Sequence, residues 1–346
     1  MRTENLDFVR CRSLLISVVI ISGFLIVLLT SIVFKNLTIP LMVWKNKIII
    51  DIEHKPAFID SSGHLQSVLS PNLRWCTANP FLKLYNQNII LDLELQWILW
   101  KRSQLLLTYQ ILRDYALKIG DRSGSMVYLA YPSSLPLPCP YKNSLTRLGG
   151  ADDGSKILCG VEILKSFTNC VVYSLGSFNN FNFEFDLLKQ TSCVIHTYDC
   201  TSPPPGTPID RLTFHQICLG DASTLQKFMY PYNPQSENRI FNNASFFKSF
   251  DKILKENKHE EVHILKMDIE GGEYSVFADL LCQANGTSLP YQISFESHWW
   301  DRDIYHAILH QKMFSQLWEL GYRILQHEYN PSDHTCVEWT LLRVFC

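Results

Sequence analysis

The chain has 346 residues, of which 47% are hydrophobic and 18% charged, and its formal net charge at pH 7 is −2. That length supports one α/β domain of ordinary size or two small ones. The near-neutral balance gives no basic stripe for a phosphate backbone, so no nucleic-acid partner is expected, and the apolar content excludes disorder along the whole chain.

The first predicted element is Leu14–Phe34, 21 uncharged residues, against the roughly 20 that cross a bilayer. Lys35 and Asn36 follow it with no small-residue cleavage site, so it reads as a retained transmembrane signal anchor rather than a cleaved leader. Arg2, Arg10 and Arg12 precede the span, and Lys35, Lys45 and Lys47 follow it. The closeness of Arg10 and Arg12 tips the balance towards a cytosolic N-terminus. The expected organisation is a cytosolic tail (1–13), an anchor (14–34), a stalk (35–70), a helical extension (71–138) and a main domain (139–346). This describes a single-pass type II membrane protein with its body in the Golgi or ER lumen, or a secreted body if the anchor is cleaved. Sequons at Asn36, Asn243 and Asn285 and ten cysteines beyond the span suit an oxidising compartment. No C-x-x-C pair occurs, which argues against a zinc ribbon or a thioredoxin-like site.

Ile89–Leu117 carries leucines and isoleucine at helical spacing and reads as a packing helix. Proline-rich Ser133–Pro140 marks a boundary. Beyond it, the predicted strands are Val171–Leu175, Val194–Tyr198, Leu212–Cys218, His263–Met267 and Gln292–Phe295. They alternate with predicted helices Phe183–Lys189, Phe246–Glu256, Tyr274–Gln283 and Ile304–Leu320, the last ending at Gly321. Strands Tyr322–Glu328 and Glu338–Phe345 close the chain. This alternation predicts a mainly parallel sheet covered by helices. About ten residues between the last two strands leave no room for a crossover helix, so these pair antiparallel.

In such a sheet, ligands bind beyond the carboxyl ends of the strands. Tyr173-Ser174-Leu175-Gly176 offers one glycine for a tight turn, without the full G-x-G-x-x-G pattern. Asp199 ends the second strand 23 residues after Gly176, where a carboxylate can accept both hydroxyls of a ribose. His196 and Tyr198 read as packing residues in that strand. Asp268 ends the fourth strand and Glu296 the fifth. If the chain stays extended, Asp268 and Glu270 point the same way, and neighbouring carboxylates raise one another's pKa. Glu273 is placed to steady the following helix at its N-terminus. Asp268, Glu270 and His298 are the candidate general bases. His306 and His310 lack the glutamate of a zinc protease between them and read as surface or packing residues, so no metal ligand is assigned.

The stretches VVYSLGSFNNFNFE, VIHTYDCT, ILKMDIEGGEYSVF and ISFESHW, with LTRLGGADDGSKILC upstream and GYRILQHEYNP and CVEWTLL downstream, together resemble the FkbM-type methyltransferases. More specifically they resemble the membrane-anchored methyltransferase-like protein 24 family. The resemblance spans roughly residues 139 to 345, and K-x-D-x-E-G-x-E is its most specific piece. Ser177 departs from it, standing where many methyltransferases have a second glycine. The resemblance implies a Rossmann-like class I fold, with a seven-stranded sheet whose last strand is antiparallel, and S-adenosylmethionine as cofactor. Tyr173, Ser174 and Gly176 would then line the methionine and adenosine portion, and Asp199 would hold the ribose. The implied reaction is methyl transfer to the oxygen of a glycan or another secretory-pathway acceptor. A lumenal glycosyltransferase reading Asp268-Ile269-Glu270 as a metal motif, and a catalytically silent binding domain, are the alternatives.

Overall fold

The computed structural model describes residues 41–44, 47–50, 76–85, 137–141, 145–150, 154–220, 246–282, 289–298, 310, 313–314, 316–330 and 336–346. The expected span 14–34, the helix Ile89–Leu117, the three sequons and His306 lie outside them. Among the described residues no helix is long and apolar enough to cross a membrane. The chain divides into two units, Met1–Pro71 and Asn72–Cys346. In the first, Leu41–Trp44 and Lys47–Ile50 pair antiparallel, Leu41 opposite Ile50, within the segment expected to be a stalk.

In the second unit a short 3-10 helix, Pro80–Leu82, precedes a hairpin of β1 (Leu145–Leu148) and β2 (Lys156–Cys159). There follow β3 (Val171–Leu175), α1 (Asn182–Gln190), β4 (Val194–Tyr198), β5 (Leu212–His215), α2 (Phe250–Asn257), β6 (Ile264–Met267), α3 (Glu273–Cys282), β7 (Gln292–His298), β8 (Tyr322–Tyr329) and β9 (Cys336–Arg343). Seven strands form one sheet in the order β8-β9-β7-β6-β3-β4-β5. Every neighbouring pair from β7 to β5 is parallel, and β9 alone is reversed, antiparallel to both β7 and β8. The expected α/β class and terminal hairpin are therefore present.

Local chemistry sets the boundaries. The expected strand Leu212–Cys218 stops at His215, and Cys218–Leu219 pairs instead with Phe247–Lys248. The expected helix Phe246–Glu256 begins only at Phe250, because Ser249 caps it: its Oγ accepts the Lys252 N–H at 3.2 Å. Phe250, Ile253 and Leu254 then recur on one face and are buried. They join Tyr173, Leu175, Leu265, Met267, Phe277, Phe295 and Trp339 in one core cluster. Each large apolar side chain fully buried there contributes roughly 1.5–3 kcal/mol.

The β1/β2 hairpin is tied to the sheet by side chains that satisfy its backbone. Gln292 Oε1 accepts the Cys159 N–H at 2.7 Å while its Nε2 donates to the Cys159 carbonyl at 3.0 Å. Ser294 Oγ and Thr340 Oγ1 both donate to the Ile157 carbonyl. This attachment presents Lys156 to the interior. Disulfides Cys76–Cys346, Cys139–Cys159, Cys170–Cys193 and Cys200–Cys218 are formed among the described residues, in keeping with the expected oxidised state; Cys336 stands outside them.

His196 and Tyr198 pack as expected. His196 Nδ1 lies 2.9 Å from His215 Nε2, and its ring stacks on His215 and meets His259. Burial, with His259 and His215 nearby, pushes His196 down to about 4. A histidine that titrates lower when folded than when unfolded contributes stability above its unfolded pKa of about 6.5, lost as the pH falls towards 4. We expect His196→Asn to diminish the loss of stability between pH 7 and 4.5 by about 1–3 kcal/mol in urea titrations. An equal loss in both proteins would contradict this.

Candidate active site

The site is built around Gly176, the residue after β3. Its φ is +79°, and a Cβ there would stand 1.8 Å from the Asp268 carbonyl oxygen. Only glycine permits that approach. The Gly176 N–H donates to the Tyr198 carbonyl at 2.9 Å, and the Asp268 N–H to the Leu175 carbonyl at 2.9 Å. The ends of β3, β4 and β6 are thereby drawn to one point.

On one side of that glycine stands Asp199. Its Oδ2 accepts from Ser177 N, Ser177 Oγ and Phe178 N at 2.8–2.9 Å. Its Oδ1 accepts from Thr201 N, Thr201 Oγ1 and Ser202 N at 2.8–3.0 Å. Burial alone would raise this carboxyl, but the donors outweigh it and hold it below the usual carboxylate range. Asp199 thus clasps the glycine loop, in which Phe178 and Asn179 both take positive φ and Phe178 is 89% exposed. One hydroxyl meets each Asp199 oxygen, Ser177 Oγ and Thr201 Oγ1. A ribose diol presents that same donor pair, so the edge fits a ribose-bearing cofactor.

The other two proposed cofactor residues lie deeper. Ser174 is fully buried, its Oγ donating to Glu184 Oε1 at 2.6 Å. Tyr173 is part of the core, its hydroxyl 2.8 Å from His259 Nδ1 and its ring against Phe250. Gly176 and Asp199 come together at the edge; Tyr173 and Ser174 support it from within.

On the far side of Gly176 is a cluster of charged groups. The chain does not stay extended after Asp268: Glu270 adopts φ +57° and Gly271 φ +96°. Both carboxylates nevertheless approach the same imidazole, with His298 Nε2 3.5 Å from Glu270 Oε2, 4.0 Å from Asp268 Oδ1 and 3.6 Å from Glu296 Oε2. Glu273 does more than steady α3. Its Oε1 accepts from Ile269 N and Gly271 N and lies 3.0 Å from His298 Nδ1. Glu273 is 0% exposed.

One partner was not legible in the sequence. Lys156 reaches from β2 to Asp268 Oδ2 at 2.9 Å and Glu338 Oε1 at 2.7 Å, with a side chain 0% exposed. A lysine opening the apolar run Lys156-Ile157-Leu158-Cys159 hints at it, but the contact spans 112 and 182 residues. Burial opposes Asp268's charge, yet Lys156, Lys266 and His298 hold its carboxyl well below normal. Burial and Asp268 push Glu296 up, and burial pushes up Glu270, although its side chain is 56% exposed. Burial would lower His298, but Glu273, Asp268 and Glu270 together raise it to about 10. Lys156→Met would remove the buried cation that both half-buried carboxylates Asp268 and Glu338 share. We expect it to cost about 3–5 kcal/mol in chemical denaturation; a loss below about 1 kcal/mol would show that the pairing does not hold the site.

Among solved structures, the chain is similar to the fibrillarin pre-rRNA processing protein of Methanococcus jannaschii (10% identity, 58% of this chain and 89% of that one, TM-score 0.30). It is also similar to Aeropyrum pernix fibrillarin in complex with natively bound S-adenosyl-L-methionine (10% identity, 55% and 80%, TM-score 0.27). A third is spermidine synthase of Thermotoga maritima (11% identity, 57% and 68%, TM-score 0.28). No curated protein matches it in sequence. A family model described as a methyltransferase domain, Methyltransf_22, matches residues 136–343, well over half of the chain. The Asp199 edge, with one hydroxyl on each carboxylate oxygen, suits the ribose of a nucleoside cofactor. With that match and the sheet order above, the chain belongs to the Methyltransf_22 methyltransferase-domain family, of class I architecture.

Proposed function

We propose that this domain methylates a hydroxyl oxygen, on a glycan or another secretory-pathway acceptor, using S-adenosylmethionine. The observation that carries the reading is the Gly176 contact. It places the diol-type carboxylate Asp199 on one side of a single residue and the Asp268–Glu270–His298 cluster on the other. The cofactor supplies a methyl group on a sulfonium, and the protein positions the two reactants and handles the proton. Asp199 exchanges its loop hydroxyls for those of the ribose. Glu270 is the exposed member of the cluster, with 56% of its side chain accessible, and takes the acceptor proton as general base. Asp268, held by Lys156, stays ionised and orders the floor beneath it.

The narrower kinship to FkbM-type proteins and the methyltransferase-like protein 24 family rests on Lys266–Glu273 and the flanking stretches. Four disulfides and the apolar segment Leu14–Phe34 support a lumenal, membrane-anchored body. Family membership also weighs against the glycosyltransferase alternative.

The test is incubation of the full chain with isotopically labelled S-adenosylmethionine and lumenal glycan, lipid and protein fractions, read by mass spectrometry. We expect label on an acceptor hydroxyl and a turnover loss of about 100-fold or more in Glu270→Gln, with cofactor Kd within about twofold. We expect Asp199→Ala to weaken cofactor binding by about 1.4–2.8 kcal/mol, 10- to 100-fold. Cofactor binding with no labelled product in any fraction would favour the silent domain, and unchanged affinity in Asp199→Ala would remove that residue from the site.

A further inference from the structure

The register of the reversed strand has a consequence for metal chemistry. In the β7/β9 pair His298 stands opposite Cys336, and Glu296 opposite Glu338. Residues two apart on a strand share a face, and directly opposed residues have Cβ atoms about 4.5–5.5 Å apart. Four ligand-type side chains therefore occupy one face at the cleft end of two strands. Glu296, His298 and Cys336 are all buried, and each offers a ligand atom within 4.8 Å of the others. Asp268 and Glu270 extend the same group from the β6 end, again within 4.8 Å of His298.

We propose that Glu296, His298 and Cys336 bind a zinc ion, with a fourth position open towards the acceptor. Imidazole, thiolate and carboxylate form the donor set that suits zinc, and three protein ligands with one open position is the pattern of catalytic rather than structural zinc. The surroundings supply an independent pointer. A metal-binding histidine characteristically gives its other ring nitrogen to a carboxylate, which fixes the ring; here Glu273 Oε1 takes His298 Nδ1 at 3.0 Å, leaving Nε2 facing the cluster. Asn330 Nδ2 donates to Glu296 Oε1 at 3.1 Å, leaving Oε2 on the His298 side. An oxygen of Glu338 lies within 4.8 Å of those of Asp268 and Glu296, and Glu338 Oε2 is buried with no hydrogen-bond partner. Its other oxygen is held by Lys156 at 2.7 Å.

The site deepens the methyl-transfer reading and rests on it. A hydroxyl bound at the open position becomes more acidic. Its proton passes to Glu270, its oxygen bonds to the methyl carbon, and the carbon–sulfur bond breaks with its electron pair remaining on sulfur. The products are the methyl ether and S-adenosylhomocysteine.

The full chain, stripped with chelator and dialysed, is titrated with Zn²⁺ and separately with Co²⁺ as a spectroscopic probe. We expect one equivalent of each bound, a thiolate-to-cobalt charge-transfer absorption, and zinc affinity at least 100-fold weaker in Cys336→Ser and His298→Ala. Absence of saturable zinc binding, a cobalt spectrum without the thiolate band, or wild-type affinity in both variants would overturn the site. The wild-type cobalt spectrum decides the matter even if a variant fails to fold. Titrating S-adenosylmethionine in the same preparation separates the two readings. Cofactor bound without zinc removes the metal site alone, and zinc bound without cofactor removes the methyl-transfer reading.

Discussion

The site depends on how closely two backbones approach: Gly176 after β3 and the carbonyl of Asp268 after β6. A methyl group at position 176 would overlap that oxygen at 1.8 Å, far inside any tolerated contact. Because the strands meet there, the carboxylate that ends β4 and the charged groups that follow β6 and β7 face one short stretch of chain. The turn that permits this is strained on both sides. Phe178, Asn179 and Glu270 hold positive φ without being glycine, and such backbone strain concentrates where structure serves function.

Electrostatics then decide what each carboxylate does. Asp199 is saturated by six donors from its own loops, which suits the ribose-binding role proposed for it. Asp268 is pinned as an anion by Lys156, so it shapes the field rather than exchanging protons. Glu273 is enclosed and orients His298. Glu270, with 56% of its side chain accessible, is the most exposed of these. The cluster holds more carboxylates than cations, an imbalance that a low-dielectric site tolerates only by protonation or by binding a cation.

Much of the fold was legible in the sequence because it is written in short local patterns. The runs Val171–Leu175 and Val194–Tyr198 carry strand signals dense enough that their observed limits coincide with the predicted ones. The terminal hairpin followed from loop length. Less was legible where partners are remote. Lys156 is unremarkable in its own strand and acquires its role only when a hairpin docks through Gln292, Ser294 and Thr340. Cys336 was one of ten cysteines beyond the expected span that spacing alone does not distinguish, and its place beside His298 follows from the register of β9. Tyr173 was expected at the cofactor; alternation along β3 turns its ring to the core, beside Phe250.

The most direct measurement is an experimental structure of the full chain with S-adenosylhomocysteine bound. We expect the ribose hydroxyls on Asp199, in place of Ser177 Oγ and Thr201 Oγ1, and the sulfur on the Asp268–Glu270 side of Gly176. A nucleoside bound elsewhere, with Asp199 still clasping its own loop and the Glu270 cluster remote from the sulfur, would contradict it.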